Sequence, residues 1–299
     1  MPSEIFDCAI VGAGPAGLTA ALYLRRFHRD IVVFDADRSR AKWIPESHNC
    51  PGFPQGVSGT AFLDKLREQA SHYGVDVLPK RIQSLARAGA DFVLRAGPDS
   101  WRAKSVLLAT GIVDELPDAP WVEDAIQATA MRLCAICDGY EASDGRLATF
   151  GKLDDAIPHA IFLRSFSKHV VAAGSDGTGA DEALLARARQ AGVEVLSGVR
   201  TLAYDGTRCQ VIDADGGAHA FDALYPVLGC HAQSELATAI GAAVDDNGEL
   251  IVAKDQLTSV PGLYAIGDVV SAINQISVAT GHAAIAATAI HNALPANPA

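Results

Sequence analysis

The sequence predicts an α/β fold built from two strand–turn–helix–strand units of the dinucleotide-binding kind, and three observations carry that reading. Near the N-terminus an apolar run, a Gly12-x-Gly14-x-x-Gly17 turn, a helical stretch and a second apolar run follow one another. From residue 147 the same order recurs. Near the C-terminus a strand-like run ends in Gly267-Asp268 and precedes a long Ala-rich helix. The 299 residues are enough for two domains.

Residues 6–11 form a short, almost wholly apolar run, the pattern of a strand buried on both faces. In the turn that follows, Gly12 permits the tight bend and Gly14 lets a pyrophosphate approach the backbone. Gly17 lets the helix lie close to the sheet. The helix over 18–27 then offers N–H groups and a positive dipole end to phosphate. A second buried strand spans 31–34. It runs into Asp35, where a carboxylate that binds ribose hydroxyls belongs.

Residues 43–59 are rich in Pro and Gly and read as a long ordered loop, a type that often carries function. An amphipathic helix is expected over 60–74. Strands follow over 75–110, closing with Val106-Leu107-Leu108-Ala109-Thr110-Gly111. The second unit places a strand at 147–151, a helix at 156–166 and a strand at 168–173. The last strand lies at 262–266 and the last helix starts near 275.

The net charge of −11 argues against nucleic acid and anionic membrane surfaces as partners, because both carry the same sign. No run of 18 uncharged apolar residues points to a membrane span. No basic segment followed by an apolar stretch opens the chain, so a cytoplasmic protein is expected. The six cysteines are scattered except for one C-x-x-C, Cys134-Ala135-Ile136-Cys137, followed by Asp138-Gly139. Such a pair opening a helix can close a small disulfide loop, with thiolate stabilised by the helix N-terminus and Asp138 placed to move a proton. A pair of unreactive buried cysteines has the same spacing. A zinc site would require a second ligand pair, and Cys209 and Cys230 stand alone, so no metal is expected.

The hexapeptide Cys134–Gly139 resembles the active site of low-molecular-weight thioredoxin reductases. The resemblance covers nearly the whole chain. Asn49-x-Pro51-Gly52-Phe53-Pro54 and Gly56-x-Ser58-Gly59 are similar to that family's flavin-side loop. Thr258-Ser259-x-Pro261-Gly262-Leu263-Tyr264-Ala265-x-Gly267-Asp268 is similar to its C-terminal FAD segment. Gln275 stands where the family has an Arg-Gln pair, with Asn274 in place of the arginine. The resemblance implies two Rossmann-like, three-layer domains. The FAD domain, 1–113 and 233–299, is split by a second nucleotide-binding-like domain, 114–232, which carries the cysteines. It implies FAD held by Gly12, Gly14, Ala16, Gly17, Asp35, Asn49, Ala109, Thr110, Gly111, Gly267, Asp268, Gln275 and Ile276, with Asp268 on the ribityl chain. Cys137 then faces the flavin, Cys134 exchanges with the partner, Asp138 is the acid/base, and the chain is a homodimer.

The sequence departs from that family in its second cradle, which reads Gly151-Lys152-Leu153-Asp154-Asp155-Ala156 where the family has G-x-G-x-x-A. Leu153 is expected to crowd a pyrophosphate, and Asp154 and Asp155 to repel it. No Lys or Arg lies between Lys168 and Arg187 to grip a 2′-phosphate, although Asp176 is a candidate for a ribose. The expected activity is a thioredoxin reductase-like dithiol–disulfide exchange that does not use NADPH. The donor is then of ferredoxin type or another kind, and the partner a thioredoxin-like protein or a small-molecule dithiol. Gly139-Tyr140-Glu141 is also similar to dithiol oxidases of the gliotoxin and holomycin type, which use oxygen, although those carry His where this chain has Asp138. A conventional NADPH-dependent reductase and a flavin-bound redox sensor stay open. His48 and His282 are read first as hydrogen-bonding residues beside the cofactor, Trp43 and Trp121 as packing, and Cys50 as a small buried hydrophobe.

Overall fold

A computed structural model describes residues 5–175, 179–270 and 273–297. The chain divides into two units. The first comprises Met1–Lys42, Ser58–Val113 and Cys230–Ala299; the second comprises Trp43–Val57 and Asp114–Gly229.

In the first unit β1 (Ile5–Val11) is buried along its second half and leads into α1 (Pro15–Arg26). Proline at the first helical position costs nothing there, because that N–H has no intrahelical partner. Gly12 has φ +104°, and a Cβ on it would sit 2.3 Å from the Ala109 carbonyl oxygen, so only glycine fits. β2 (Ile31–Phe34) pairs parallel with β1, Val11 opposite Phe34. α2 (Gly59–His72) is capped by Ser58, whose Oγ accepts the Ala61 N–H at 3.2 Å. β3 (Val77–Leu78) extends the sheet beside β2. An antiparallel meander, β4 (Ser84–Ala88), β5 (Asp91–Ala96) and β6 (Asp99–Leu108), brings β6 back parallel to β1. β7 (Ile112–Asp114) ends this part.

The second unit opens with α3 (Val122–Gln127) and the single turn α4 (Ala135–Asp138). β8 (Arg146–Gly151), α5 (Leu153–Leu163), β9 (His169–Gly174), α6 (Glu182–Ala191) and β10 (Glu194–Leu196) follow. An antiparallel sheet of β11 (Val199–Tyr204), β12 (Cys209–Asp213) and β13 (Ala218–Phe221) interrupts the parallel one. β14 (Ala223–Val227) then rejoins it beside β8, giving the parallel order β10-β9-β8-β14. α5 begins at Leu153, three residues before the expected start. The physical reason is burial: Leu153 is 3% exposed and packs in the core between α5 and the sheet. The loop over 43–57, grouped by sequence with the first domain, belongs to the second unit. Trp43 packs against the core that contains Val122, Ile126 and Met131, and Ser47 bridges Val57 to close the loop on itself.

The chain then returns to the first unit through β15 (Cys230–Ala232), α7 (Glu235–Thr238), β16 (Leu263–Ala265) and α8 (Ile276–Ala293). β16 lies parallel to β6, so the seven-stranded sheet takes strands from both ends of the chain. Buried Arg29 ties those ends together. It donates to His291 Nδ1 at 3.0 Å, to the His291 carbonyl at 2.9 Å and to the Pro295 carbonyl at 2.9 Å. Among the described residues no helix is long and apolar enough to cross a membrane.

Candidate active site

Cys134 and Cys137 are joined by a disulfide with their Cα atoms 5.3 Å apart. Cys134 is the N-cap of α4, and its Sγ accepts the Cys137 N–H at 3.2 Å. Because α4 is one turn long, this direct N–H contact, rather than a helix dipole, is the local force that favours negative charge on Cys134. Both cysteines are half-buried, while Ile136 between them is 52% exposed and Tyr140 beyond them 78% exposed. The disulfide therefore sits at an accessible edge flanked by apolar side chains.

Asp138 closes α4 and is held by two residues that no local motif singles out. Tyr225 on β14 donates its hydroxyl to Asp138 Oδ1 at 3.1 Å. Arg132 Nη1 donates to the Asp138 backbone carbonyl at 2.7 Å and stands 3.9 Å from Oδ2. Burial pushes the Asp138 carboxyl up to about 6, while the Arg132 charge and the Tyr225 hydrogen bond pull it back. A carboxyl with that pKa exchanges a proton readily near neutral pH. Asn49 does not stand apart from this site: its Nδ2 donates to the Ile136 carbonyl at 3.4 Å, and its Oδ1 accepts from Ser47 Oγ at 2.9 Å. It fastens the loop over 43–57 to the cysteine turn. His48 pairs with Glu46 at 3.1 Å in the same loop, and Cys50 is buried with its thiol pushed up by desolvation.

In the first unit the glycine turn has the form of a dinucleotide cradle. Gly14 caps α1 with no side-chain cap, and the first turn carries no acidic residue, so its N–H groups face outward from an uncharged end. A Cβ on Gly17 would lie 1.8 Å from the Gly12 carbonyl oxygen, which explains the close seat of α1 on the sheet. Asp35 follows β2 and stands 3.6 Å from Arg67. Ala109 is bonded to Val11, and Thr110 and Gly111 are both bonded to Gln233, a partner that lies outside every motif in the sequence. Gly267 packs on Ala16, and Asp268 faces Arg40 at 3.8 Å. Gln275 caps α8, whose first residue is Ile276. Asn274 Oδ1 and His282 Nδ1 are buried without a partner among the described residues. Such orphaned polar atoms are what a bound group with its own donors and acceptors satisfies. The residues present fit a flavin dinucleotide.

In the second unit the corresponding turn carries two carboxylates. Asp154 and Asp155 occupy the first turn of α5, where a phosphate would have to lie. Leu153 turns into the core rather than outward: its side chain covers Gly174, at the end of β9, where the ribose of a dinucleotide would come down. Asp176 lies outside the described residues.

The chain is similar over most of its length to known proteins. Residues 6–283 match the family model described as pyridine nucleotide-disulphide oxidoreductase. The chain is 30% identical to a thioredoxin reductase of Chlamydia trachomatis over 278 residues, covering 87% of this chain and 89% of that one. It is 28% identical to a thioredoxin reductase of Mycolicibacterium smegmatis, covering 89% of each. Among solved structures, that of HlmI matches with a TM-score of 0.90 at 29% identity, covering 96% of this chain and 92% of that one. The thioredoxin reductase from Streptococcus pyogenes MGAS5005 matches with a TM-score of 0.87 at 27% identity, covering 97% and 98%. The chain belongs to the pyridine nucleotide-disulphide oxidoreductase family, as a flavin-dependent dithiol–disulfide oxidoreductase of the thioredoxin reductase-like kind.

Proposed function

We propose that the protein binds FAD in its first unit and exchanges electron pairs between the flavin and an external dithiol or disulfide through Cys134 and Cys137, without NADPH as donor. One observation carries the reading: the formed Cys134–Cys137 disulfide lies at an accessible edge beside a carboxyl poised near pH 6. Gly12, Gly14, Ala16 and Gly17 would receive the pyrophosphate, Asp35 a ribose, and Asp268, Gln275 and Ile276 the flavin end. FAD, when bound, supplies a store for two electrons that the cysteine pair can fill or draw on.

In the direction of substrate oxidation, a thiolate of the external dithiol attacks Cys134 Sγ. The Cys134–Cys137 bond breaks and Cys137 leaves as a thiolate. The second substrate thiol attacks its own sulfur in the mixed disulfide, the substrate departs as a disulfide, and the cysteine pair keeps two electrons. Asp138 takes up one of the protons released; in the reverse direction it returns that proton to the departing sulfur. The lack of an NADPH role is supported by Leu153 over Gly174 and by the two carboxylates at the start of α5. The partner class is a thioredoxin-like protein or a small-molecule dithiol. The exposed Tyr140, within Gly139-Tyr140-Glu141, favours a second reading, a dithiol oxidase that makes disulfides in a small molecule with oxygen as acceptor.

The test is anaerobic titration of the purified flavoprotein, following the flavin absorbance. Dithiothreitol should bleach the band, and NADPH and NADH should not. Rapid bleaching at micromolar NADPH overturns the donor assignment. A band that dithiothreitol leaves unchanged overturns the link between cysteines and flavin. Oxygen uptake with a dithiol, set against reduction of oxidised thioredoxin, separates the two partner readings.

A further inference from the structure

We propose that Tyr225 is a positioning residue for the proton step, fixing Asp138 Oδ1 as an acceptor so that Oδ2 alone carries the exchanged proton. The inference rests on the reading of Asp138 as acid/base.

The argument begins with topology. Tyr225 lies 87 residues beyond Asp138, in the strand that rejoins the parallel sheet after the antiparallel excursion, and it is 4% exposed. A hydroxyl buried that far from water must find a partner inside the protein, and its partner is Asp138 Oδ1 at 3.1 Å. The other ionisable groups that act on the carboxyl are Arg132, from the segment before α4, and Glu141, from the turn after it. Arg132 is itself committed: Nε donates to the Thr129 carbonyl at 3.1 Å and Nη1 to the Asp138 carbonyl at 2.7 Å. It holds the Asp138 backbone and stands 3.9 Å from Oδ2, while Tyr225 holds Oδ1.

Burial and the Asp138 charge push the Tyr225 hydroxyl far above its ordinary range, so it keeps its proton and remains a donor throughout the working pH range. A donor at Oδ1 favours the ionised carboxylate, opposing the burial that favours the acid. The same contact fixes the carboxyl rotamer. Core filling alone would require the ring; the proton step requires the hydroxyl as well.

Tyr225→Phe keeps the ring and removes the hydroxyl. In the holoenzyme, the pH profile of anaerobic flavin reduction by dithiothreitol should show a limb near pH 6 that Asp138→Asn abolishes. Tyr225→Phe should move that limb upward by about one pH unit, the size expected for losing one hydrogen bond to a charged acceptor. Replacing tyrosine throughout by 3-fluorotyrosine, a stronger donor of nearly the same shape, should move it downward, and this version does not depend on the Phe variant folding. If Asp138→Asn keeps the limb, the acid/base reading fails. If Asp138→Asn loses it while neither tyrosine replacement moves it, Tyr225 only fills the core and this inference alone is overturned. A change in thermal stability without a shift of the limb overturns it in the same way.

Discussion

Replacing Asp138 by Asn tests whether the carboxyl carries the cost of burial that its surroundings imply. In the folded chain the Asp138 pKa stands at about 6 against an ordinary value of 3.8, with desolvation as the leading cause. A raised acid favours the folded state while protonated. Its contribution is therefore fully present below about pH 3.8 and is lost as pH rises through about 6. At 1.36 kcal/mol per unit, the shift amounts to roughly 3 kcal/mol, and about 2 kcal/mol is expected after allowing for partial solvation of the group. Asparagine does not titrate. Urea unfolding of both proteins, with the disulfide intact, should show the variant gaining about 2 kcal/mol on the wild type between pH 4 and pH 8. A difference that stays constant with pH would rule out a raised carboxyl at this position. A variant that loses ground as pH rises would show that Arg132 and Tyr225 outweigh the desolvation.

Two further substitutions probe the two cradles. Gly14 has an ordinary φ of −75°, and an added Cβ would meet Ser39 Oγ at 3.2 Å, so Gly14→Ala should fold. It should nevertheless purify with little flavin, read from absorbance, because the methyl group stands where the pyrophosphate approaches. Leu153→Ala should cost about 2–5 kcal/mol in urea unfolding, as a buried leucine does. It should still give no flavin bleaching with NADPH, since Asp154 and Asp155 remain at the head of α5.

The parts of the fold that were legible in the sequence are those whose signal is local. The Gly12–Gly17 turn announces itself because its three glycines fall at a fixed spacing between two continuous apolar runs, although the demand on Gly12 comes from distant Ala109. The cysteine pair is legible for the same reason: three residues set the geometry of the disulfide loop. What was not legible depends on distant pairing. Tyr225 reads as one more aromatic in a strand until β14 is placed beside β8, and Arg132 as a surface cation until α4 folds back over it. α5 starts at Leu153 because that side chain packs against Gly174 in the core, a contact with a distant strand end that the local spacing does not show. The loop over 43–57 carries flavin-side motifs, yet its packing partner is the Trp43 cluster, which no local pattern reveals.

The first unit is sewn from both ends of the chain, with β16 laid against β6 and Arg29 clasping the last helix. This has a consequence during synthesis. A ribosome delivers the whole of the second unit, residues 43–57 and 114–229, before it has made the strand and helix that complete the first. The sheet that would hold the flavin under the proposed function is therefore complete only in a chain translated through β16, and a chain stopped after residue 229 would carry Cys134 and Cys137 without it.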